Sequence, residues 1–298
     1  MIGLDHISKF ILSDITLHIP QRTSVGIVGE SGAGKTTLLK MACGLLEAEQ
    51  GEVYFDGDKQ KDFSKGNSHK IGVLFTDKPV FHGEETILDN FYNLKQIYRL
   101  EEKNFTERYA YLSEKLGFDK WEKEKVNNLS LGQRRRAEIG AILLHNPKVL
   151  FLDEVTNGLD ECGKEAFSEL LKEYTKKGGT VLLSSHDLVS ISNLCDRIAI
   201  LKKGELLYYG GESLLMKQFA PIDAMTLKLM GPYPDLEDLP LESYSIDENY
   251  LTIYYNTNHI TSAEILRTLM AQTSLEEIKI RKPDLTDAIL KTRSEENE

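Results

Sequence analysis

The sequence predicts an α/β fold followed by a smaller α/β domain, on three observations. The run "SVGIV" at 24–28 is alternating and β-branched, which indicates a buried strand, and "KTTLLKMACGLL" at 35–46 has apolar residues at helical spacing. A second apolar run, residues 149–152, ends in two acidic residues. Four prolines then punctuate residues 221–240, after which short strand and helix patterns resume. The change of pattern predicts a domain boundary in this region.

Length and composition are those of a globular protein. The chain has 298 residues, of which 41% are hydrophobic and 28% charged, enough for one large domain or two smaller ones. The net charge of −11 argues against nucleic acid as the main partner and is explained by solubility. No apolar run is long enough to span a bilayer, and the first residues lack a signal-peptide pattern. The cysteines show no C-x-x-C spacing, which fits a reducing cytosol; they are Cys43, Cys162 and Cys195.

The first strand and helix are joined by a glycine-rich loop in "IVGESGAGKTTLL" at 27–39, which has the pattern G-x-x-x-x-G-K-[ST]. Glycines let the main chain close around a polyphosphate with its N–H groups pointing inward, and the following helix begins at the phosphates. In this pattern Lys35 reaches the β- and γ-phosphates, and the Thr36 hydroxyl binds Mg²⁺. The predicted nucleotide-binding residues here are Gly29, Glu30, Ser31, Gly32, Ala33, Gly34, Lys35, Thr36 and Thr37.

The acidic pair in "KVLFLDEVTNGLD" supplies the second part of a phosphate-cleaving site. Two acids at the end of a buried strand are costly unless a cation meets them, and the Mg²⁺ of a nucleotide would do so. We expect Asp153 to hold the metal and Glu154 to polarise the attacking water.

A second phosphate-binding helix terminus is predicted in "NNLSLGQRRRAEIGAILLHNP". Ser130 is placed as the N-cap of a helix over residues 131–145, and Pro147 lies just beyond it. One phosphate-binding loop does not need two such termini in a single site, whereas a dimer does if each subunit closes the nucleotide of the other. We interpret most of the arginine run 134–136 as a solvated helix face.

Together these motifs resemble the nucleotide-binding subunit of an ABC transporter. The segment "LSLGQ" at 129–133 is similar to the family's L-S-G-G-Q signature, with Leu131 in place of the first glycine, and "NGLD" at 157–160 matches its D-loop. "TVLLSSHD" ends a strand at His186, about thirty residues after the acidic pair, where the family has a histidine that contacts the γ-phosphate. The resemblance implies ATP and Mg²⁺ as ligands, catalytic roles for Lys35, Glu154 and His186, and nucleotide contacts by Ser130, Gly132, Gln133 and Asp160.

For the fold, the resemblance implies a P-loop NTPase (RecA-like) core with antiparallel β and helical subdomains. The nucleotide-binding domain would span residues 1–218 and its helical subdomain about 78–145. In that subdomain "TILDNFYNLKQIY" predicts a helix capped by Thr86, and Gly117 is a helix stop. The helical subdomain would meet a membrane permease, either through apolar residues around 79–81 and 91–92 or elsewhere if these pack internally.

The chain departs from the family at three positions. Phe10 is the candidate for the aromatic residue that stacks on adenine, with core filling as the alternative. The family's Mg²⁺-contacting glutamine is replaced, depending on alignment, by Thr76 or Asp77, both of which offer an oxygen to the metal. Val155 stands where the family usually has proline. We expect hydrolysis to survive these changes and the coupling to the permease to be altered.

The second domain, 222–298, carries no chemical motif. Its pattern predicts strands at 225–230, 241–246, 250–255 and 276–281 and helices at 261–272 and 284–292. Such a domain resembles the C-terminal extension of type-two ABC exporters.

The resulting prediction is an ATPase subunit, peripheral on the cytoplasmic face of the membrane, that drives an exporter as a homodimer or heterodimer. One alternative is a soluble ABC ATPase acting on ribosomes or DNA. The other is a non-catalytic, ATP-bound partner in an asymmetric pair.

Overall fold

The computed structural model describes residues 1–59, 68–186, 188–283 and 285. The chain forms two compact units, Met1–Gly210 and Gly211–Glu298, so the division falls a few residues before the boundary at 218–222 proposed from the sequence. The α/β fold class is confirmed by three sheets combined with helices.

The first unit contains two sheets. The strands of the antiparallel sheet, in the order β2-β1-β4-β5, are β1 (Ile2–Lys9), β2 (Leu12–Ile19), β4 (Gln50–Phe55) and β5 (Asp58–Lys59). The strands of the mixed sheet, in the order β10-β9-β3-β8-β7-β6, are β3 (Ser24–Gly29), β6 (Ile71–Leu74), β7 (Val149–Asp153), β8 (Thr180–Ser184), β9 (Arg197–Lys202) and β10 (Glu205–Gly210). All of its pairings are parallel except that of β9 with β10, so the carboxyl ends of β3, β6, β7 and β8 share one edge.

Helix α1 (Lys35–Ala42) is held between the two sheets. Its side chains Leu38, Leu39 and Met41 are fully buried in one cluster with inward-facing residues of both sheets. Strand β2 shows why the antiparallel sheet contributes to this cluster, because its residues alternate between buried and exposed along most of its length. Each buried leucine stabilises the fold by about 1.5–3 kcal/mol. This packing fixes the start of α1, and therefore the glycine-rich loop, against the end of β3.

The helical segment between β6 and β7 contains α2 (Ile87–Ile97), α3 (Glu102–Leu116) and α4 (Leu131–Leu143). Thr86 caps α2 through a capping box with Asp89, and Gly117 ends α3 in the left-handed conformation, so both predicted helix signals are confirmed. The remaining helices of the unit are α5 (Glu161–Lys176) and α6 (Leu188–Leu194). Among the described residues, no helix is both long and apolar enough to cross a bilayer.

The apolar residues proposed as permease contacts divide into two groups. Phe81 and Phe91 are buried, with ring centroids 5.8 Å apart, and Phe91 also stacks on Phe118 at 5.3 Å. For these two residues the internal-packing alternative is correct. Tyr92 remains 42% exposed and is the aromatic residue of the pair at 91–92 that reaches the surface.

The interpretation of residues 134–136 as a solvated face is wrong. Arg134 Nε and Arg135 Nη1 lie 2.8 and 3.1 Å from the two carboxylate oxygens of Glu138, and both Arg135 and Glu138 are buried. Arg136 pairs with Asp160. Arg134 and Arg135 therefore form ion pairs within α4, and Arg136 connects α4 to the residue before α5. Helical periodicity alone does not predict these pairs, because a long charged side chain can fold back onto its own helix.

The second unit is a four-stranded antiparallel sheet with helices. Its elements are α7 (Glu212–Phe219), β11 (Ile222–Leu229), β12 (Leu241–Asp247), β13 (Tyr250–Asn256), α8 (Ser262–Met270) and β14 (Leu275–Arg281), with strand order β12-β13-β11-β14. Met225, Leu227, Ile253, Ile265 and Leu269 form its core between sheet and α8. The strands and helix predicted up to residue 281 are confirmed, and the predicted helix 284–292 lies, apart from Leu285, outside the described residues.

A buried histidine gives the first unit a pH-dependent stability. His145 Nε2–H donates to Ile71 O at 2.9 Å, its ring stacks on Tyr98 with centroids 3.9 Å apart, and burial lowers its pKa from 6.5 to about 4. Between these two pH values the unfolded chain binds a proton that the folded chain does not. The neutral ring therefore supports the fold above pH 6.5, and this support is lost as the pH falls toward 4.

We expect the wild type to lose up to about 3 kcal/mol relative to His145→Phe between pH 7 and pH 4.5, since one pKa unit corresponds to about 1.4 kcal/mol. Phenylalanine keeps the stack on Tyr98 and cannot be protonated. Urea unfolding of both proteins across this range measures the difference. Parallel pH profiles for the two proteins would contradict the assignment.

Candidate active site

The glycine-rich loop is shaped by close approach and by backbone conformation. A Cβ on Gly29 would lie 2.3 Å from the carbonyl oxygen of Leu201, so no larger residue fits at the end of β3. Gly34, the N-cap of α1, has φ of 103°, and a Cβ there would also lie 2.5 Å from Leu12 Cδ2. The two glycines therefore allow the close backbone turns at both ends of the loop, as expected for a phosphate cradle.

Positive charge is concentrated at the start of α1. The first turn of α1 contains no acidic residue, so the partial positive charge of the helix terminus is not neutralised locally. Lys35 Nζ lies across the loop and donates to the carbonyl oxygens of Gly29 and Glu30 at 2.8 and 3.0 Å. An ammonium group so held on the loop can exchange its carbonyl partners for phosphate oxygens.

Asp153 is a buried carboxylate in surroundings that favour a bound cation. Its carboxylate is 3% exposed and accepts from Thr36 Oγ1 at 2.9 and 3.0 Å and from Ser184 Oγ at 2.5 Å. Within the described part of the chain, no lysine, arginine or histidine pairs with it. A buried carboxylate that receives only neutral donors is costly, and Mg²⁺ prefers oxygen ligands of this kind. The residues at the end of β7 therefore fit a magnesium ion.

Glu154 follows directly and turns toward a different group of residues. It adopts a left-handed backbone conformation with φ of 52°, and its N–H donates to Ser184 O and Oγ, each at 3.1 Å. Its carboxylate oxygen Oε2 lies 2.8 Å from His186 Nδ1, 3.3 Å from the His186 main-chain N and 3.4 Å from Asn157 Nδ2. These contacts hold Oε2, and no described residue donates to Oε1, which can accept a proton from water.

The structure thus brings together most of the predicted catalytic residues. Gly29 ends β3, Asp153 ends β7 and Ser184 ends β8, with His186 two residues farther on. The register of β7 and β8 places Asp153 directly opposite Ser184. The sequence prediction missed Ser184 and the role of Asn157 in orienting Glu154. A hydroxyl at the end of a buried strand beside the acidic pair was the available signal for Ser184.

The signature residues form a separate cluster. Ser130 caps α4 through a capping box with Gln133, as predicted for the cap. A Cβ on Gly158 would lie 2.6 Å from Leu131 Cδ2, and one on Gly132 would lie 2.8 Å from Gly158 O. The side chain of Leu131 is therefore packed over the D-loop glycine and is 61% exposed. Ser130 is exposed as well, so this helix terminus is available at the surface.

Asp160 has an intramolecular role. It accepts from Gly163 N at 2.9 Å as the N-cap of α5 and pairs with Arg136. The Arg136 guanidinium holds the pKa of this carboxyl below its usual value. Its predicted contact with a nucleotide, like those of Ser130, Gly132 and Gln133, stays a prediction.

Phe10 lies at the tip of the turn between β1 and β2 and is 75% exposed, so the alternative that it fills the core is wrong. Its neighbour Ile11 lies close to the glycine-rich loop, since a Cβ on Gly34 would be 3.3 Å from Ile11 Cγ2. The turn is therefore placed beside the glycine-rich loop, and Lys9 Nζ lies 5.1 Å from the centroid of the Phe10 ring. Stacking of Phe10 on a base stays a prediction.

Thr76 and Asp77 follow β6 at the same edge of the mixed sheet as Asp153, and both are exposed. Asp77 Oδ2 lies 2.7 Å from Lys40 Nζ of α1, and this bond holds the pKa of the carboxyl below its usual value. Asp77 therefore has a cationic partner, whereas the exposed Thr76 hydroxyl has no hydrogen-bond partner among the described residues. Metal contact by either residue stays a prediction.

Comparison with known proteins identifies the family. Residues 12–157 match the model of the "ABC transporter" family. The chain is 33% identical over 202 residues to the ABC transporter ATP-binding protein NatA of Bacillus subtilis, an alignment covering 67% of this chain and 82% of NatA. The chain belongs to the ABC transporter family. This ABC subunit is also 30% identical over 210 residues to the lantibiotic transport ATP-binding protein SrtF of Streptococcus pyogenes, covering 69% of the chain and 88% of SrtF.

A solved structure supports the fold of this ABC subunit. It is an ATP-binding cassette in a dimeric, post-hydrolysis state bound to ADP and Pi, 28% identical, with a TM-score of 0.63 over 71% of this chain and 98% of the other. The P-loop NTPase core of an ABC ATPase is thereby confirmed. ATP and Mg²⁺ are the ligands of the site, and the chain is an ATPase.

Proposed function

We propose that this ABC ATPase works as a dimer in which each ATP lies between the glycine-rich loop of one subunit and Ser130 of the other, and that hydrolysis drives a membrane exporter. The observation that carries the proposal is that the second predicted phosphate-binding helix terminus, at Ser130, is exposed, and that no hydrogen bond among the described residues joins it to the glycine-rich loop. Lys35 begins α1 next to Thr36, which bonds Asp153. Ser130 caps α4 at the surface, and the next two residues, Leu131 and Gly132, lie against the D-loop. In a dimer, the ATP bound to the second subunit would be the ligand of this exposed helix terminus.

Within one subunit, the named residues have distinct tasks. The loop N–H groups and Lys35 bind and orient the phosphates of ATP. Bound Mg²⁺ supplies positive charge to the phosphate oxygens, and Thr36 and Asp153 would hold it. Glu154, with Oε2 fixed by Asn157 and the His186 main chain, accepts the proton of the attacking water on Oε1. His186 is 67% exposed at its side chain, so its ring can turn toward a terminal phosphate.

Hydrolysis opens the dimer because it cleaves the group that both subunits bind. The triphosphate is bound by both subunits at once, so it biases the interface toward the closed form. Cleavage separates the terminal phosphate from the part of the nucleotide held by Lys35, and the interface loses its bridge. The opening motion is passed to a permease at the helical segment, where Tyr92 is exposed.

Export as the direction of transport is supported by the appended C-terminal unit, which resembles the extension of type-two ABC exporters. The contact between Glu154 and His186 favours an active ATPase over a non-catalytic partner, because both catalytic groups are present and already joined. The subunit would then lie on the cytoplasmic face of the membrane with its permease.

Affinity purification of the tagged chain from gently solubilised membranes tests the proposed partner. We expect an integral membrane protein to copurify, and Tyr92→Arg to reduce its recovery several-fold while ATP hydrolysis by the isolated subunit is retained. Lys120→Ala, an exposed change in the same helical segment, is the matched control and should leave recovery unchanged. Recovery of ribosomes or DNA in place of a membrane protein would overturn the proposal.

A further inference from the structure

A cavity of about 420 Å³ lies at the edge of the mixed sheet opposite the active site. Its wall includes residues that lie one to three positions before β3, β7 and β8, namely Gln21, Arg22, Pro147, Lys148, Gly178 and Gly179. The active site is at the carboxyl ends of the same strands, so the two sites are separated by the length of the sheet. The volume is within the range of about 300–1,000 Å³ typical of small-molecule sites. We call this the basal cavity.

The basal cavity is lined by more cations than anions. Its cationic side chains are Arg22, Arg108, Lys148 and Lys177, and the amino group of Met1 also borders it. Its two carboxylates are already engaged. Asp56 pairs with the Met1 amino group and accepts from Gln21 Nε2 at 2.9 Å. Glu173 accepts from Tyr111 Oη at 2.5 Å and lies 3.9 Å from Lys177 Nζ, so Arg22, Arg108 and Lys148 make up the remaining positive charge. A local excess of positive charge is notable in a chain whose net charge is −11.

Arg108 is the central cation of this group. Its guanidinium is partly buried, and Nε donates to Leu143 O at 3.0 Å. Burial lowers its pKa, yet an arginine remains charged and offers five N–H donors. No carboxylate in the described segments pairs with Arg108, Arg22 or Lys148. Lys148 is attracted by Asp56 without forming an ion pair with it. A partly buried guanidinium without a carboxylate partner, in a cavity that Arg22 and Lys148 also line, favours an anionic ligand.

The lining also has an apolar part. Tyr111 and Tyr174 border the basal cavity, and their hydroxyls are bonded to Glu173 and to Pro147 O, the latter at 3.1 Å. With the hydroxyls engaged, these side chains contribute mainly ring surface to the cavity. The cations can bind a phosphate group, and the tyrosine rings can contact an apolar part of a ligand. Together they fit a small organic molecule that carries a phosphate.

We propose that the basal cavity is a binding site for a small phosphorylated molecule, with its phosphate held by Arg108 and the charges of Arg22 and Lys148. The basal cavity shares no lining residue with the active site, and ligand binding there does not require the proposed dimer. A ligand there would contact the starts of the strands whose far ends carry the catalytic residues. It would also contact α3 and α5, which supply Arg108 and Tyr174.

Calorimetric titration of the full-length chain with inorganic pyrophosphate tests this site. The titration uses the Lys35→Ala background, which removes one phosphate contact of the active site. Binding is assigned to the basal cavity by its loss in variants of the cavity residues, so pyrophosphate remaining on the glycine-rich loop cannot imitate the result. We expect saturable binding, weakened about tenfold or more by Arg108→Gln, because charge-assisted contacts of guanidinium with phosphate are strong. Arg22→Gln should weaken binding about threefold, as expected for loss of a single more exposed charge.

Lys120→Gln is the matched control, since Lys120 is an exposed cation of the same unit that does not line the basal cavity. Arg22 is exposed, so its variant carries the test even if Arg108→Gln fails to fold. Absence of saturable binding in the Lys35→Ala background would overturn the proposal. An equal loss of affinity in Lys120→Gln would also overturn it, because binding would then follow overall charge.

Discussion

Glu154→Gln is expected to lower steady-state ATP hydrolysis at least about a hundredfold, because a positioned general base contributes roughly 10²–10⁴ to the rate. Glutamine keeps the size of the side chain and an oxygen that can accept from Asn157 and the His186 main chain, but it cannot take a proton from water. The fold and ATP binding should therefore be retained. Phosphate release by purified chain with Mg²⁺ measures the effect.

The matched control is Glu161→Gln, a change of the same kind at an exposed acid in the first turn of α5. It should leave the rate unchanged. Turnover by Glu154→Gln within a few-fold of the wild type would remove Glu154 from the role of base. Because the geometry holds Oε2 through three contacts, Asn157→Ala is expected to show a smaller loss than Glu154→Gln in the same assay.

Ser130→Arg is expected to lower hydrolysis about a hundredfold while leaving nucleotide binding by the single subunit nearly unchanged. The reason is that Ser130 is proposed to contact the phosphate held by the other subunit, and removing one donor to a developing charge typically costs about 10²–10³ in rate. The arginine would also obstruct closure at the exposed helix terminus. Hydrolysis and the binding of a fluorescent ATP analogue are measured on the same preparation.

Loss of the helix cap is a competing explanation, since such a loss costs about 1 kcal/mol. Thr86→Arg controls for it, because Thr86 closes the same kind of capping box on α2. If Thr86→Arg lowers hydrolysis as much as Ser130→Arg, the effect is one of stability. If Ser130→Arg weakens analogue binding in proportion to the rate, Ser130 belongs to the site of its own subunit.

The parts of the site that could be predicted are those in which a short pattern determines local structure. The glycine-rich loop, the acidic pair after an apolar strand and the cap at Ser130 each depend on residues within a few positions of one another. The second unit was predictable up to residue 281 for a similar reason, because its two central strands, β11 and β13, alternate in burial along their length.

The remaining features depend on tertiary contacts. Glu154 and His186 are 32 residues apart and meet because β7 and β8 are adjacent in the sheet. The pairing of Asp77 with Lys40 joins segments 37 residues apart. Phe10 could not be assigned from the sequence because an aromatic residue in a tight turn is equally compatible with the core and the surface. The buried pairing of Arg135 with Glu138 was missed because charged residues at that spacing usually face solvent.

The central claim is that ATP joins two copies of this chain, and light scattering on Glu154→Gln tests it most directly. With ATP and Mg²⁺ the measured molar mass should be twice the 33.8 kDa of one chain, and with ADP it should return to that of one chain. The same variant carrying Ser130→Arg should remain monomeric with ATP. A single-chain mass for Glu154→Gln at saturating ATP, with nucleotide shown to be bound at Lys35, would contradict the account.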